Sequence, residues 1–208
     1  MHKNVNNLIL IQNLLKEKTN QKNLPKIIAV SKTFPISEIN PLLEYGHVDF
    51  GENKIQEAIE KWTPIKKKFV HIKLHMIGKL QTNKVKFILP LFDYLHSLDN
   101  LKLAKKISEE EIKHKKKIKI FIQINVENES QKTGIDKDNL DEFYSICVNK
   151  FNLDIIGLMC LPPNKEDVKP YFLEIQKLNN KLGLKELSLG MSGDFLSAVE
   201  CGSTFLRI

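Results

Sequence analysis

Lys32 is the first residue of interest. It ends a short apolar, β-rich run, Ile27-Ile28-Ala29-Val30-Ser31, and is followed by Thr33, Phe34 and Pro35. A lysine delivered to a dry pocket loses part of its charge, and its free amine can attack a carbonyl to form a Schiff base. The alternative is a strand-end lysine that reaches water. Ser192-Gly193 lies between an apolar run ending at Met191 and a helical stretch near Asp194. Backbone N–H groups, a hydroxyl and a glycine at a helix start make a phosphate cradle, although a plain serine N-cap fits the same residues. Arg207 is the sole arginine among 32 basic residues and sits inside an apolar run. A planar, permanently charged donor there serves either to pair a carboxylate or to face a ring nitrogen. No nucleophile–base triad, zinc signature or Walker loop is present, and Gly51-Glu52-Asn53 lacks the other glycines of a dinucleotide fingerprint.

These groups need elements to position them. Val5, Leu8, Ile9 and Leu15 predict an opening amphipathic helix that ends around Asn23, Leu24 and Pro25. A strand to Lys32 follows, then a helix with Ser37 as N-cap, running through Tyr45 and stopped by Gly46. The same unit then repeats. Strands are expected over 47–50, 71–77, 94–98, 118–126, 154–160, 186–191 and 203–208. Helices are expected to about 61, over 80–89, over 101–113 with Asp99 as a cap, over 139–148, over 167–182 and over 194–200. About eight strands alternating with helices predict a single α/β domain of the (β/α)8 TIM-barrel type with an extra N-terminal helix. A doubly wound open sheet is the structural alternative. The polar stretches 127–138 and 162–167 read as loops, so residues 1–208 are expected to form one domain. In such a barrel the strand C-termini share one mouth. Lys32, Asn53, His75, Ser97, Asn125, Ser192 and Arg207 all fall at predicted strand ends. Taken alone, His75 fits a structural histidine, Asn53 an N-cap, and Gly78 and Gly202 plain turn glycines.

The composition narrows the function classes. The hydrophobic share of 42% and charged share of 27% are those of an ordinary soluble protein. The net charge of +7 comes from scattered lysines, densest at 66–68 and 113–119. No aromatics interleave with them, so they read as a solvated face with at most weak polyanion binding. Cys147, Cys160 and Cys201 have neither metal-ligand nor disulfide-framework spacing. No leader-like cleavage site or membrane span is visible. A cytoplasmic protein is expected.

A Schiff-base lysine, a phosphate cradle and an arginine for a pyridine nitrogen are together what a pyridoxal phosphate (PLP) site requires. The chain resembles the YggS/PROSC family of PLP-binding proteins, which are similar in fold to the N-terminal barrel of alanine racemase. The resemblance rests on Ala29-Val30-Ser31-Lys32-Thr33, on Gly51-Glu52-Asn53 with Gln56-Glu57, and on His75-Met76-Ile77-Gly78-Lys79-Leu80-Gln81-Thr82-Asn83-Lys84. It continues through His96-Ser97-Leu98-Asp99, Gln123-Ile124-Asn125 with Lys132-Thr133-Gly134, and Gly157-Leu158-Met159. It closes with Gly190-Met191-Ser192-Gly193-Asp194 and Gly202-Ser203-Thr204-Phe205-Leu206-Arg207-Ile208.

The resemblance implies that Lys32 forms the Schiff base with PLP, that Ser192 and Gly193 hold the phosphate, and that Arg207 faces the pyridine nitrogen. Asn53 and His75 would line the cofactor. An arginine at the ring nitrogen cannot accept its proton, which weakens the electron sink. There are two departures. The family commonly has a second lysine where Phe34 stands here. It also usually continues past the Arg-Ile pair with a glycine, a serine or threonine and a short aromatic-glycine tail, whereas Ile208 is the last residue here. A barrel with its C-terminal tail missing is therefore expected, with weaker phosphate binding, a truncated sequence or a decaying function left open.

The function implied is a PLP carrier in cofactor homeostasis, monomeric, without catalytic residues of its own, that hands PLP to apo-enzymes. No metal, membrane or specific nucleic acid is implied. An amino-acid racemase is the rival. Racemisation needs acid–base groups on both faces of the carbanion, and the similar racemase takes its second group, a tyrosine, from an additional domain not expected here. A basic RNA or polyanion module is the third class and predicts strong salt dependence. Lys132 is expected to contact water.

Overall fold

The computed structural model describes residues 2–19, 24–127 and 133–208. Asn23 and Lys132 lie outside the described residues. Eight parallel strands close into a barrel: β1 Lys26–Val30, β2 Asp49–Glu52, β3 Lys73–Met76, β4 Tyr94–Leu98, β5 Lys119–Asn125, β7 Asp154–Cys160, β8 Glu186–Met191 and β9 Phe205–Arg207. The spatial order is β4-β3-β2-β1-β9-β8-β7-β5, and β4 pairs with β5 to complete the ring. Closure excludes the open-sheet alternative.

The strands form where β-branched and aromatic residues cluster, and both of their faces are covered. One face meets the surrounding helices: α1 Lys3–Lys18, α2 Ile36–Glu44, α3 Ile55–Lys68, α4 Ile88–Leu91, α5 Leu101–His114, α6 Leu140–Ser145, α7 Lys169–Lys181 and α8 Phe195–Glu200. The other face fills the barrel axis with Ile28, Tyr94, Phe121, Met159 and Phe205. The extra helix α1 buries Val5, Leu8 and Leu15, and Asn4 Nδ2 ties it to the carbonyl and carboxylate of Glu38 in α2.

Several local expectations are corrected. Helix α2 starts at Ile36, with Pro35 rather than Ser37 before it. Asn100, not Asp99, caps α5 by accepting the Leu103 N–H at 2.8 Å. The expected helix over 80–89 is a 3-10 turn, Thr82–Phe87, leading into α4. The helix expected over 139–148 ends as α6 and continues as a π-helical stretch, Ile146–Lys150. Part of the polar loop after β5 is a two-residue strand, β6 Ile135–Asp136. Gly134 makes this pairing possible, because a Cβ there would lie 2.5 Å from the Asn125 nitrogen.

The lysine runs are partly structural. Lys66 donates to the Leu91 carbonyl and pairs with Asp93 at 2.7 Å. Lys116 donates to the carbonyls of Leu89 and Phe92, and burial lowers its pKa. These amines satisfy carbonyls where α4 ends, so part of the positive charge is tied into the fold. All three cysteines are free and buried. Burial pushes the Cys147 and Cys160 thiols up to about 12, so they behave as apolar core groups. Among the described residues no helix is long and apolar enough to cross a membrane, and no group of three metal-ligating side chains is present.

Candidate cofactor site

Four neighbouring strands, in the order β2-β1-β9-β8, bring the site together. Val30 pairs with Gly51, Ile28 with Arg207, and Met191 with Arg207. This register sets the residues that follow β1, β2 and β8 around Arg207, at one mouth of the barrel. Lys32, Asn53 and Ser192-Gly193 are those residues.

Lys32 is exposed, in a turn directly after β1. The turn is held from both sides. Lys61 Nζ donates to the Ser31 carbonyl at 2.9 Å, and the Thr33 N–H donates to Glu57 Oε1 at 2.7 Å. Thr33 adopts φ +64°, a left-handed conformation that a β-branched residue avoids unless its surroundings impose it. Burial would raise the Glu57 carboxyl, but the bonds from Thr33 and Lys61 outweigh it and hold its pKa below the ordinary value. Beneath the turn, Glu52 Oε1 accepts from Ser31 Oγ at 2.8 Å, Trp62 Nε1 at 2.9 Å and Lys61 Nζ at 3.0 Å. Glu52 and Trp62 are fully buried. This lattice fixes the backbone of the lysine turn and leaves the amine itself exposed.

Asn53 follows β2. Its Oδ1 is a buried acceptor without a hydrogen-bond partner, which suits a ligand donor arriving from the mouth. Gly78 packs directly against Asn53: a Cβ at position 78 would come within 2.3 Å of the Asn53 carbonyl oxygen. Gly78 is therefore more than a turn glycine. Ser97 is buried and donates to the Gly78 carbonyl at 2.7 Å, which anchors the same loop. Asn125 ends β5, half-buried.

Ser192 and Gly193 are exposed. Ser192 is not the helix cap, because Asp194 holds that position and its carboxylate turns back to the Met191 N–H. A Cβ at Gly193 would meet no atom within 4 Å, so the cradle is open.

Arg207 is 4% exposed. Its Nη1 donates to the carbonyl and hydroxyl of Ser188, and its Nη2 donates to the Cys160 carbonyl at 2.9 Å. Burial lowers its pKa to about 10, so it stays charged at neutral pH. Among the described residues it forms no ion pair with a carboxylate. Three hydrogen bonds engage Nη1 and Nη2, which leaves two of its five N–H groups available to a ligand.

His75 is placed differently from expectation. Its ring is fully buried and stacked on Tyr94 at 4.3 Å. Both nitrogens are taken, Nε2 by Asp49 and Nδ1 by His96, each at 3.0 Å. It fills the barrel axis rather than lining the mouth. His96, Ser188 and Asp49 were not singled out from sequence. The available signal was polar residues inside apolar strands, since buried polar groups require partners.

An exposed lysine, an open glycine cradle and an arginine with free donors fit the aldehyde, phosphate and ring nitrogen of PLP, and the orphan acceptor at Asn53 fits its ring hydroxyl.

The family model described as alanine racemase, N-terminal domain, matches residues 7–208. A pyridoxal phosphate homeostasis protein of Aquifex aeolicus is 36% identical over 196 residues, 90% of this chain and 85% of that protein. The protein of the same name from Escherichia coli is 35% identical, over 88% of this chain and 82% of its own length. The structure of PipY from Synechococcus elongatus with PLP bound superposes with a TM-score of 0.84 at 28% identity, covering 94% of this chain and 95% of that one. Alanine racemase of Clostridium difficile is 14% identical with a TM-score of 0.73, and this chain covers 55% of it. That last likeness is one of fold alone.

Proposed function

The chain belongs to the family of the alanine racemase N-terminal domain and the pyridoxal phosphate homeostasis proteins, and on that premise we propose that it binds PLP and serves in PLP homeostasis. Residues 1–208 act as one cofactor-binding barrel domain. The observation that carries this reading is the convergence of Lys32, Asn53, Ser192-Gly193 and Arg207 on four adjacent strand ends.

In this reading Lys32 holds the cofactor aldehyde covalently. Asn53 Oδ1 accepts a hydrogen bond from the cofactor's ring hydroxyl. Ser192 Oγ and the Gly193 N–H bind the phosphate. Arg207 donates one of its free N–H groups to the ring nitrogen. Bound PLP supplies an electron sink for amino-acid chemistry. Arg207 weakens it, because a charged guanidinium has no lone pair with which to take up the ring proton. That favours storage over turnover. The protein acts as a cytoplasmic monomer that buffers PLP and passes it to apo-enzymes.

The test is transfer. The PLP-loaded chain is mixed with a PLP-dependent apo-enzyme in the presence of a phosphatase that destroys free PLP. Recovery of the recipient's activity is expected. No recovery, together with loss of optical rotation in an added amino acid, would replace the carrier with a racemase.

A further inference from the structure

One hydrogen-bonded thread runs along the barrel axis to Arg207. Asp49 Oδ1 lies 3.0 Å from His75 Nε2, and His75 Nδ1 lies 3.0 Å from His96 Nε2. His96 Nδ1 lies 2.8 Å from Ser188 Oγ, which lies 2.6 Å from Arg207 Nη1. His75, His96 and Ser188 are fully buried. The Asp49 side chain, on the first residue of β2, keeps 18% exposure at the opposite opening. The thread is sleeved in rings: His75 stacks on Tyr94, His96 stacks on Phe121, and Phe205 lies edge-on to His96.

The two ends dictate where the protons lie. Guanidinium only donates and carboxylate only accepts. Ser188 Oγ accepts from Arg207, and its own hydrogen then goes to His96 Nδ1. A neutral His96 therefore carries its proton on Nε2 and donates to His75 Nδ1. His75 in turn carries its proton on Nε2 and donates to Asp49. Each contact then joins one donor to one acceptor. Burial keeps both imidazoles neutral, and His75 and Arg207 add to the effect at His96.

We propose that His96 and Ser188 are positioning residues for Arg207, and that the thread anchored at Asp49 fixes the polarity with which Ser188 receives the guanidinium. The proposal rests on the reading that Arg207 faces the bound cofactor ring. With its hydrogen committed to His96, the Ser188 hydroxyl offers only lone pairs to Nη1. The guanidinium is then held by three acceptors, and its two remaining donors stay available to a ligand. Without His96 as acceptor, the hydroxyl hydrogen is free to turn against Nη1.

The test combines two readouts on the full chain. Long-range ¹H–¹⁵N correlation on histidine-labelled protein reads the tautomers without cofactor. Nε2–H is expected for both His75 and His96, and Nδ1–H at His96 would overturn the proposal. PLP titration of Ser188→Ala then reads the effect on Arg207. A changed visible band and about tenfold weaker binding are expected, on the scale of one lost charged hydrogen bond, with both restored in Ser188→Thr. Lower stability with unchanged band and affinity would reduce the thread to packing and overturn the proposal. Because the tautomers are read in the unmodified chain, the proposal stays falsifiable if Ser188→Ala fails to fold. Correct tautomers in a wild-type chain that takes up no PLP on Lys32 would strike the site reading and leave the polarity of the thread standing.

Discussion

Arg207 is tied twice to Ser188: its Nη1 donates to both the backbone carbonyl and the hydroxyl of that residue, at 2.6 Å each. The only arginine in the chain is thus positioned by strand β8, its neighbour in the barrel, before any ligand arrives.

Arg207→Ala removes that charged fork. We expect PLP to bind about ten- to a hundredfold more weakly, with an altered visible band, because a hydrogen bond to a charged group contributes about 1.5–3 kcal/mol. Arg207→Lys should not restore the band, since a compact ammonium cannot reproduce a planar fork. Absorption titration of the three proteins checks both statements.

Gly78→Ala tests the wall of the site. The added methyl would overlap the Asn53 backbone, and overpacking of this kind costs about 1–3 kcal/mol. Urea denaturation should show the loss, and PLP affinity should fall with it because Asn53 is displaced. Unchanged affinity would remove Asn53 from the site.

Glu52→Gln tests the support of the lysine turn. Glu52 Oε1 accepts three hydrogen bonds, one of them from a nearly buried Lys61. Glutamine keeps the shape and the Oε1 acceptor, but it removes the negative charge that faces Lys61 and puts an NH2 where the buried Oε2 has no hydrogen-bond partner. A stability loss of about 1–3 kcal/mol is expected, with slower covalent capture of PLP at Lys32. Urea titration and the rate of band formation are the measurements.

The buried histidines predict an acid-side loss of stability. Burial lowers the pKa of His47, His75 and His96 in the folded chain. Below about pH 6.5 the unfolded chain binds protons that the folded chain excludes, so stability falls as pH drops from 6.5 toward 5. The slope is at most about 1.4 kcal/mol per pH unit for each histidine that stays neutral. Carboxylates contribute only at lower pH, because the folded pKa values of Glu57 and Asp93 are depressed from ordinary values near 4. Urea midpoints between pH 7.5 and 5 should fall, and a flat profile would contradict the neutral assignment.

The barrel was legible because buried parallel strands announce themselves as apolar runs, Ile118–Val126 above all, and because such runs alternated with amphipathic helices. The strand-end residues Lys32, Asn53, Ser192 and Arg207 were legible for the same reason. Asp49, His75, His96 and Ser188 were harder to place. Each comes from a different strand, and only the register between strands brings them into contact. His75 reads as a mouth residue because it falls near the end of an apolar run, but its ring lies along the axis, between Asp49 and His96. The buried role of Glu52 is not legible, since its partners Trp62 and Lys61 lie on the following helix. The 3-10 turn at Thr82–Phe87 is not legible, because its apolar spacing imitates an α-helix.

In the proposed function Lys32 is the residue that holds PLP. The most direct measurement is visible absorption titration of the purified chain with PLP, followed by borohydride reduction and peptide mapping. A saturable band and a reduced pyridoxyl group on Lys32 are expected, with both lost in Lys32→Ala at an unchanged circular dichroism spectrum. A label on another lysine, or an unchanged band in Lys32→Ala, would contradict it.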